Sequence, residues 1–265
     1  MATALETKQA PAGSDKRQMV TLRIWRGDAQ GGKFQDYTTP VTEGMVVLDA
    51  VHRVQAEQAN DLAVRWNCKA GKCGSCSAEI NGKPGLMCMK QLAHLPLDMP
   101  VTLEPMRAFP SLKDLVTDVS WNYRVKKAIK PFKPRPPDAA DGTWRMGQAD
   151  VDRVQEFRKC IECFLCQDVC HVLRDHHLHE EFIGPRFLVH VAALEMHPLD
   201  TEDRLPELKE ANGIGYCNIT KCCTKVCPEG ITITDNAIIP LKERVVDEFY
   251  DPLTRLWRLV WPKRK

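Results

Sequence analysis

Several features that would assign this chain to a familiar class are missing. No stretch approaches the ~18 consecutive apolar residues that a bilayer span requires, so none is expected within these 265 residues. The opening MATALETKQAPAGSDK is polar and lacks the apolar core that follows the basic start of a signal peptide. Residues 1–17 therefore read as a disordered tail. A net charge of +2 gives no electrostatic footing for nucleic-acid binding, and basic residues interleaved with aromatics occur only at the extreme C-terminus. No Gly-rich dinucleotide fingerprint follows a strand, so hydride chemistry is not expected of this chain. Nor is there a repeat of ~20–50 residues of the kind that builds solenoids.

What the chain has instead is cysteine: twelve residues, gathered at 68–88, 160–170 and 217–227. Without an export signal, and with spacings this tight, ligands converging on inorganic centres explain them better than disulfides do. The first group is Cys68-x4-Cys73-x2-Cys76, followed by Cys88 after eleven residues. That start has the plant-type [2Fe–2S] spacing. Gly71 and Gly74 would let the loop curl so that backbone N–H groups face the sulfur atoms. Zinc held by four thiolates is the rival, but zinc sites usually pair two C-x2-C knuckles and only one is present.

The second group, Cys160-x2-Cys163-x2-Cys166-x3-Cys170, has the spacing of a cubane run, in which the fourth cysteine crosses to the other cluster. Applied to YCNITKCCTKVCPEG, residues 216–230, the same rule finds Cys217, Cys223, Cys227 and Pro228 in register, with Thr220 at the remaining ligand position. Cys160, Cys163, Cys166 and Cys227 then hold [4Fe–4S]. Cys170, Cys217 and Cys223 are left with three thiolates for [3Fe–4S]. Cys222 is out of step: as a ligand it would give an x4–x4 spacing that matches no ferredoxin run, so it reads as a thiol without an iron role.

Around these groups, MVTLRIW alternates as a half-buried strand with FQDYTTPV as its hairpin partner, VVLDAVHRVQAEQ has helical spacing, and VTLEP closes the unit. SLKDLVTDVSWNYRVKKAI reads as one amphipathic helix capped by Ser111, and KPFKPRPPDAADG as an extended linker. QADVDRVQEFRK, GPRFLVHVAALEM and the stretch after the last cysteines read as helices. The expected fold class is α+β. Its parts are a [2Fe–2S] domain at 18–108, a docking helix and linker at 109–142, a helical two-cluster domain at 143–250 and a basic, aromatic tail at 251–265. In that tail Trp257 and Trp261 beside Arg258, Lys263, Arg264 and Lys265 suit a lipid headgroup interface, a subunit contact or a frayed end. His171, His176, His177 and His179 could serve as a metal or proton-relay set or as a polar partner surface.

With the cysteine order go KDLVTDVS at 113–120, FIGP at 182–185 and DTEDRL at 200–205. From about residue 18 to 250 the chain resembles the iron–sulfur subunit of succinate dehydrogenase and fumarate reductase. The resemblance implies a ferredoxin-like β-grasp domain followed by an all-α ferredoxin-type domain. It also implies electron transfer between an FAD-carrying flavoprotein subunit and membrane anchor subunits, with quinone near the [3Fe–4S] end. The chain would sit peripherally on the cytoplasmic face of the plasma membrane, with the substrate-converting site on another subunit. Three positions depart from the usual pattern around the quinone pocket: His171 where Pro is common, Asp175 where Trp is common, and Asn218 where His is common. They leave open an acceptor wholly in the anchor, or an intervening redox group. The alternatives are the iron–sulfur subunit of a soluble thiol-linked fumarate reductase and a stand-alone ferredoxin-like carrier.

Overall fold

The computed structural model describes residues 18–252, so the expected tail at 1–17 and the Trp257–Trp261 segment lie outside the described residues. Alternation in the first apolar stretch produces β1 (Met19–Asp28), which buries Val20, Leu22 and Ile24 on one face. The chain turns back into β2 (Gly31–Pro40), setting Trp25 opposite Phe34. Helix α1 (Val47–Glu57) follows and buries Val47, Leu48, Ala50, Val51 and Val54 on a single stripe. Strands β3 (Ser77–Ile80), β4 (Lys83–Leu86) and β5 (Val101–Glu104) complete a five-stranded sheet in the order β2-β1-β5-β3-β4. Only β1 and β5 pair in parallel. The loop from α1 to β3 carries the first three cysteines.

The helix expected over 111–129 is shorter than its amphipathic pattern. Residues Ser111–Lys113 (β6) and Val116–Thr117 (β7) form a small hairpin, and only Ser120–Ala128 (α2) is helical. Asp114 is the reason. It is buried at a left-handed φ of 48°, and its carboxylate accepts from Arg26 Nε at 3.0 Å, Gly27 N–H at 3.1 Å and Ala63 N–H at 2.8 Å. Those tertiary bonds, with Leu115 packed into the first core, outweigh a local helix preference of at most a few tenths of a kcal/mol per residue, about 0.7 at the extreme. Ser111 therefore caps nothing, and Asp118 accepts the Ser120 N–H at 2.8 Å instead.

The second half is built from short helices interrupted by cysteine loops. They are α3 (Gln148–Gln155), a 3-10 turn (Glu156–Lys159), α4 (Leu165–Asp168), α5 (His171–Arg174), α6 (Gly184–Glu195) and α7 (Leu205–Lys209). A second 3-10 turn (Ile214–Tyr216), α8 (Cys222–Val226) and a π turn (Ile233–Ile238) running into α9 (Ile239–Phe249) complete it. Pro185 opens α6, where a missing N–H costs nothing. Phe187, Leu188, Val191 and Ala192 place that helix in the middle of the second core.

The proline-rich linker contains no helix, closes a turn in which the Asp138 N–H donates to Thr143 O at 2.9 Å, and is strapped down. Arg135 N–H donates to Leu199 O at 2.8 Å, and Thr201 N–H to Lys133 O at 2.9 Å. Buried Arg204 donates to Lys130 O and Pro131 O at 2.9 and 2.7 Å while pairing with Asp200 at 2.9 Å. Arg204→Ala strands the Asp200 carboxylate and frees both carbonyls. Breaking such a buried pair costs about 3–5 kcal/mol. The expected result is a lowered denaturant midpoint together with faster hydrogen exchange over 130–135.

A second ionic cluster joins the two halves. Glu79 of β3 is fully buried and faces Arg174 of α5 at 3.0 Å and Arg107 at 3.3 Å. Burial, reinforced by nearby Asp168, pushes its carboxyl up to about 7 from an ordinary 4.5. A carboxyl raised in this way binds more protons folded than unfolded. Its contribution to stability is therefore complete below about pH 4.5 and is lost as the pH rises through about 7. Glu79→Gln should make the pH dependence of the unfolding midpoint shallower across that window. An unchanged slope would show that Glu79 is ionised throughout.

Candidate metal centres

In the first cysteine loop the backbone takes left-handed φ at Lys69, Gly71 and Gly74. The curl turns the N–H groups of Ala70 and Lys72 onto Cys68 Sγ, both at 3.3 Å, and the Cys68 N–H onto Cys73 Sγ at 3.5 Å. The β3–β4 hairpin, pairing Ser77 with Leu86, carries Cys88 back beside Cys76 across the eleven intervening residues. Cys76 and Cys88 are buried, whereas Cys68 stands at the surface. Burial, then the neighbouring Cys88, pushes the Cys76 thiol up to about 12. Burial also raises Cys73, but hydrogen bonds with Ser75 and Cys68 outweigh it and bring that thiol down to about 7.

Cys160, Cys163, Cys166 and Cys227 line one hollow, closed by apolar Val189, Ile231 and Ile233. Cys170, Cys217, Cys222 and Cys223 line a second, with Thr220 and Thr234. The sequence-predicted groupings are therefore brought together in space, with Cys222 added to the last one. Among the described residues no three Cys, His, Asp or Glu side chains converge closely enough to hold a single ion. The thiols of the second and third groups ring volumes, an arrangement that fits polynuclear clusters. Burial pushes Cys163 up to about 12 and Cys170 to about 11. Only a bound cation keeps such thiols deprotonated at neutral pH.

The two hollows are built by the same backbone motif used twice. A 3-10 turn ends at Cys160 (φ −64°, ψ 117°) in one and at Cys217 (φ −72°, ψ 116°) in the other. Left-handed residues then flank the second position: Glu162 and Phe164 (φ 56° and 62°) around Cys163, Ile219 and Lys221 (φ 63° and 62°) around Thr220. Short helices α4 and α8 follow each set. A β-branched residue at φ 63° is strained by about 1–3 kcal/mol, so Ile219 marks a conformation imposed by the motif and not by its own preference. Thr220 thus stands where Cys163 stands. Its Oγ1 lies 3.2 Å from Cys222 Sγ. Hydrogen bonding with Cys223 lowers the Cys222 thiol to about 5, and the same contact, with burial, raises Cys223 well above the ordinary range.

The histidines do not gather into one site. His179 Nε2 is held by Ala108 O at 2.8 Å and its ring packs on Trp121, a structural role. His171 Nε2 lies 3.0 Å from Asn218 Nδ2 at the rim of the second hollow. Two features were not legible from spacing. Arg186, in the first turn of α6, reaches the first hollow. Gly74 touches the backbone of Cys163: a Cβ there would lie 2.5 Å from Cys163 Cα. Ser77 Oγ donates to Cys163 O at 2.9 Å, so the first cysteine loop abuts the second group directly. Cys166 and Cys223, on packed helices α4 and α8, continue the line to the third.

Comparison with known proteins gives the following. A family model described as a 2Fe-2S iron-sulfur cluster binding domain matches residues 21–123, and one described as a 4Fe-4S dicluster domain matches 156–231. The fumarate reductase iron-sulfur subunit of Mycobacterium tuberculosis is 35% identical over 75% of this chain and 80% of its own length. The succinate dehydrogenase iron-sulfur subunit of Bacillus subtilis is 28% identical over 76% of this chain and 81% of its own. A chain in the solved structure of the Mycobacterium smegmatis Sdh1 complex in the apo form is 60% identical. It superposes with a TM-score of 0.86, covering 89% of this chain and 99% of that one.

Gly74 offers a direct test of the contact between the first two groups. Gly74→Ala adds a Cβ against Cys163 and imposes a left-handed φ of 69° on alanine, a backbone penalty of about 1–2 kcal/mol before any steric cost. Loss of the visible absorption of the first centre should precede loss of helical circular dichroism on warming. Simultaneous loss would show that the contact is not a local weak point.

Proposed function

The chain belongs to the family of iron–sulfur, electron-transfer subunits of succinate dehydrogenase and fumarate reductase, and we propose the ligand sets and the electron path by which it works. It carries [2Fe–2S], [4Fe–4S] and [3Fe–4S] clusters. When bound, these supply one-electron carriers whose potentials follow cluster type, charge, hydrogen bonds and exposure. Cys68, Cys73, Cys76 and Cys88 would hold the first, and Cys160, Cys163, Cys166 and Cys227 the second. Cys170, Cys217 and Cys223 would hold the third. The observation that carries this reading is the duplicated motif: Thr220 occupies the position of Cys163, and threonine cannot supply the fourth thiolate.

Electrons would enter at the exposed Cys68 side from an FAD-carrying flavoprotein subunit. They would cross where Gly74 and Ser77 meet Cys163 and pass between α4 and α8. They would leave toward quinone at a membrane anchor. The domain division is that of a β-grasp unit, a strapped linker and an all-helical two-cluster unit. No described helix is long and apolar enough to cross a membrane; attachment, at the cytoplasmic face, would run through partners. Succinate and fumarate would interconvert on the flavoprotein subunit, and this chain's residues would only hold and tune carriers.

Cys222 supports a second reading of the last set, because its thiol lies 3.2 Å from the γ-oxygen at the unfilled position. Anaerobic iron and sulfide analysis should give about nine irons, from two, four and three. Electron paramagnetic resonance of the oxidised protein should show the three-iron signal. Thr220→Cys should abolish that signal by completing a cubane and should lower the potential. Cys223→Ser should damage the centre and Cys222→Ser should spare it. A wild type without the signal, or one in which Cys222 is essential and Cys223 dispensable, overturns the ligand assignment.

A further inference from the structure

Arg186 sits in the first turn of α6 with 5% of its surface exposed. It lines the hollow formed by Cys160, Cys163, Cys166 and Cys227. One terminal nitrogen, Nη2, bonds Glu162 Oε1 at 2.6 Å, and the guanidinium lies over the Phe187 ring. Its Nε–H has no partner among the described residues. A buried charged donor left unsatisfied is among the costlier defects a core can carry. The ring of four thiols supplies a reason for it, because a thiolate-bound cluster is anionic and accepts hydrogen bonds at sulfur.

The charges around the hollow leave a cation in place. Glu162 is shared between Arg186 and Lys126, and Glu229, also on the wall, is paired with Lys72 at 3.0 Å. The five groups therefore sum to +1. One turn beyond Arg186, burial and then the guanidinium itself push His190 down to about 4, so that ring is neutral near pH 7.

We propose that Arg186 sets the reduction potential of the [4Fe–4S] cluster: its Nε–H donates a hydrogen bond to a sulfur of that centre and its charge favours the reduced form. This rests on the ligand set proposed above. The step concerned is a one-electron reduction of [4Fe–4S]2+ to [4Fe–4S]+, the electron coming from the adjacent [2Fe–2S]+ centre, which is oxidised to [2Fe–2S]2+. With four thiolates the assembly passes from a net charge of −2 to −3, so a cation buried beside it stabilises the product more than the reactant. No proton moves, since arginine keeps its charge.

The test is a redox titration of the intact complex, followed through the paramagnetic signal of the reduced four-iron centre. Arg186→Gln should lower its midpoint by about 59 mV or more, a tenfold change in a one-electron equilibrium. Arg186→Lys keeps the charge but loses the fixed Nε–H, and should fall between. Glu162→Gln removes the opposing carboxylate and should shift the midpoint upward, which a packing defect would not do. The [2Fe–2S] and [3Fe–4S] midpoints should stay in place in all three. An unmoved midpoint in Arg186→Gln, or a downward shift in Glu162→Gln, overturns this inference alone. Absence of any reduced four-iron signal in the wild type overturns the ligand set and this inference with it.

Discussion

Anionic sulfur must be taken out of water without being left uncompensated, and the rest of the structure follows from that constraint. A buried charge with no partner costs several kcal/mol or more, and each cysteine group here concentrates several. The compensation comes first from the backbone. Left-handed residues at 69, 71 and 74 turn amides onto Cys68, and the Ile231 N–H reaches Cys227 Sγ at 3.4 Å. Such curls interrupt secondary structure. That is why the helices on either side of the hollows, α4, α5 and α8, are barely a turn long, and why long α6 and α9 must supply the apolar packing.

Electron transfer adds a second demand, that neighbouring groups keep fixed separations. The fold meets it by refusing a hinge where one would be expected. Cys163 and Leu165 belong to the core of the sheet half although their chain segment belongs to the helical half. Glu79 is clamped by Arg174 and Arg107 across the same junction. The proline-rich segment that would separate two free domains is instead bonded along Leu199–Thr201 and held by Arg204. Two units that would be independent by composition are thus packed as one body along the line of cysteines.

Much of the cysteine grouping was legible in the sequence because spacing along the chain is a local property. The groups at 68–88, 160–170 and 217–227, strands β1 and β2, helices α1 and α6, and the odd position of Thr220 all follow from neighbours within a few residues. What escaped is non-local. The segment at 111–119 has helical periodicity, yet it is pulled into a hairpin by bonds from Arg26, Gly27 and Ala63, about 51–88 residues earlier in the chain. Cys222 looked idle in register, but the left-handed turn at Lys221 brings its thiol back toward Thr220. Arg186 read as part of a helix start, and only packing shows that its side chain enters a thiol-lined space.

The duplicated motif also explains how one backbone can serve two chemically different centres. The angles at Cys160 and Cys217, and the φ values around Cys163 and Thr220, agree to within 8°, so the scaffold does not discriminate. Discrimination comes from side chains placed on it. One hollow has four thiols in register and a buried guanidinium on its wall. The other has threonine at the equivalent corner, Thr234 beside Cys223, and an Asn218–His171 pair at its rim. Because reduction potential depends on cluster type, nearby charge and hydrogen bonds to sulfur, positions 186 and 220 are where the two hollows differ most in what acts on it, although Arg186 also holds a buried ion pair with Glu162. A chain built by repeating one loop can therefore set the properties of two adjacent carriers separately, through side chains alone.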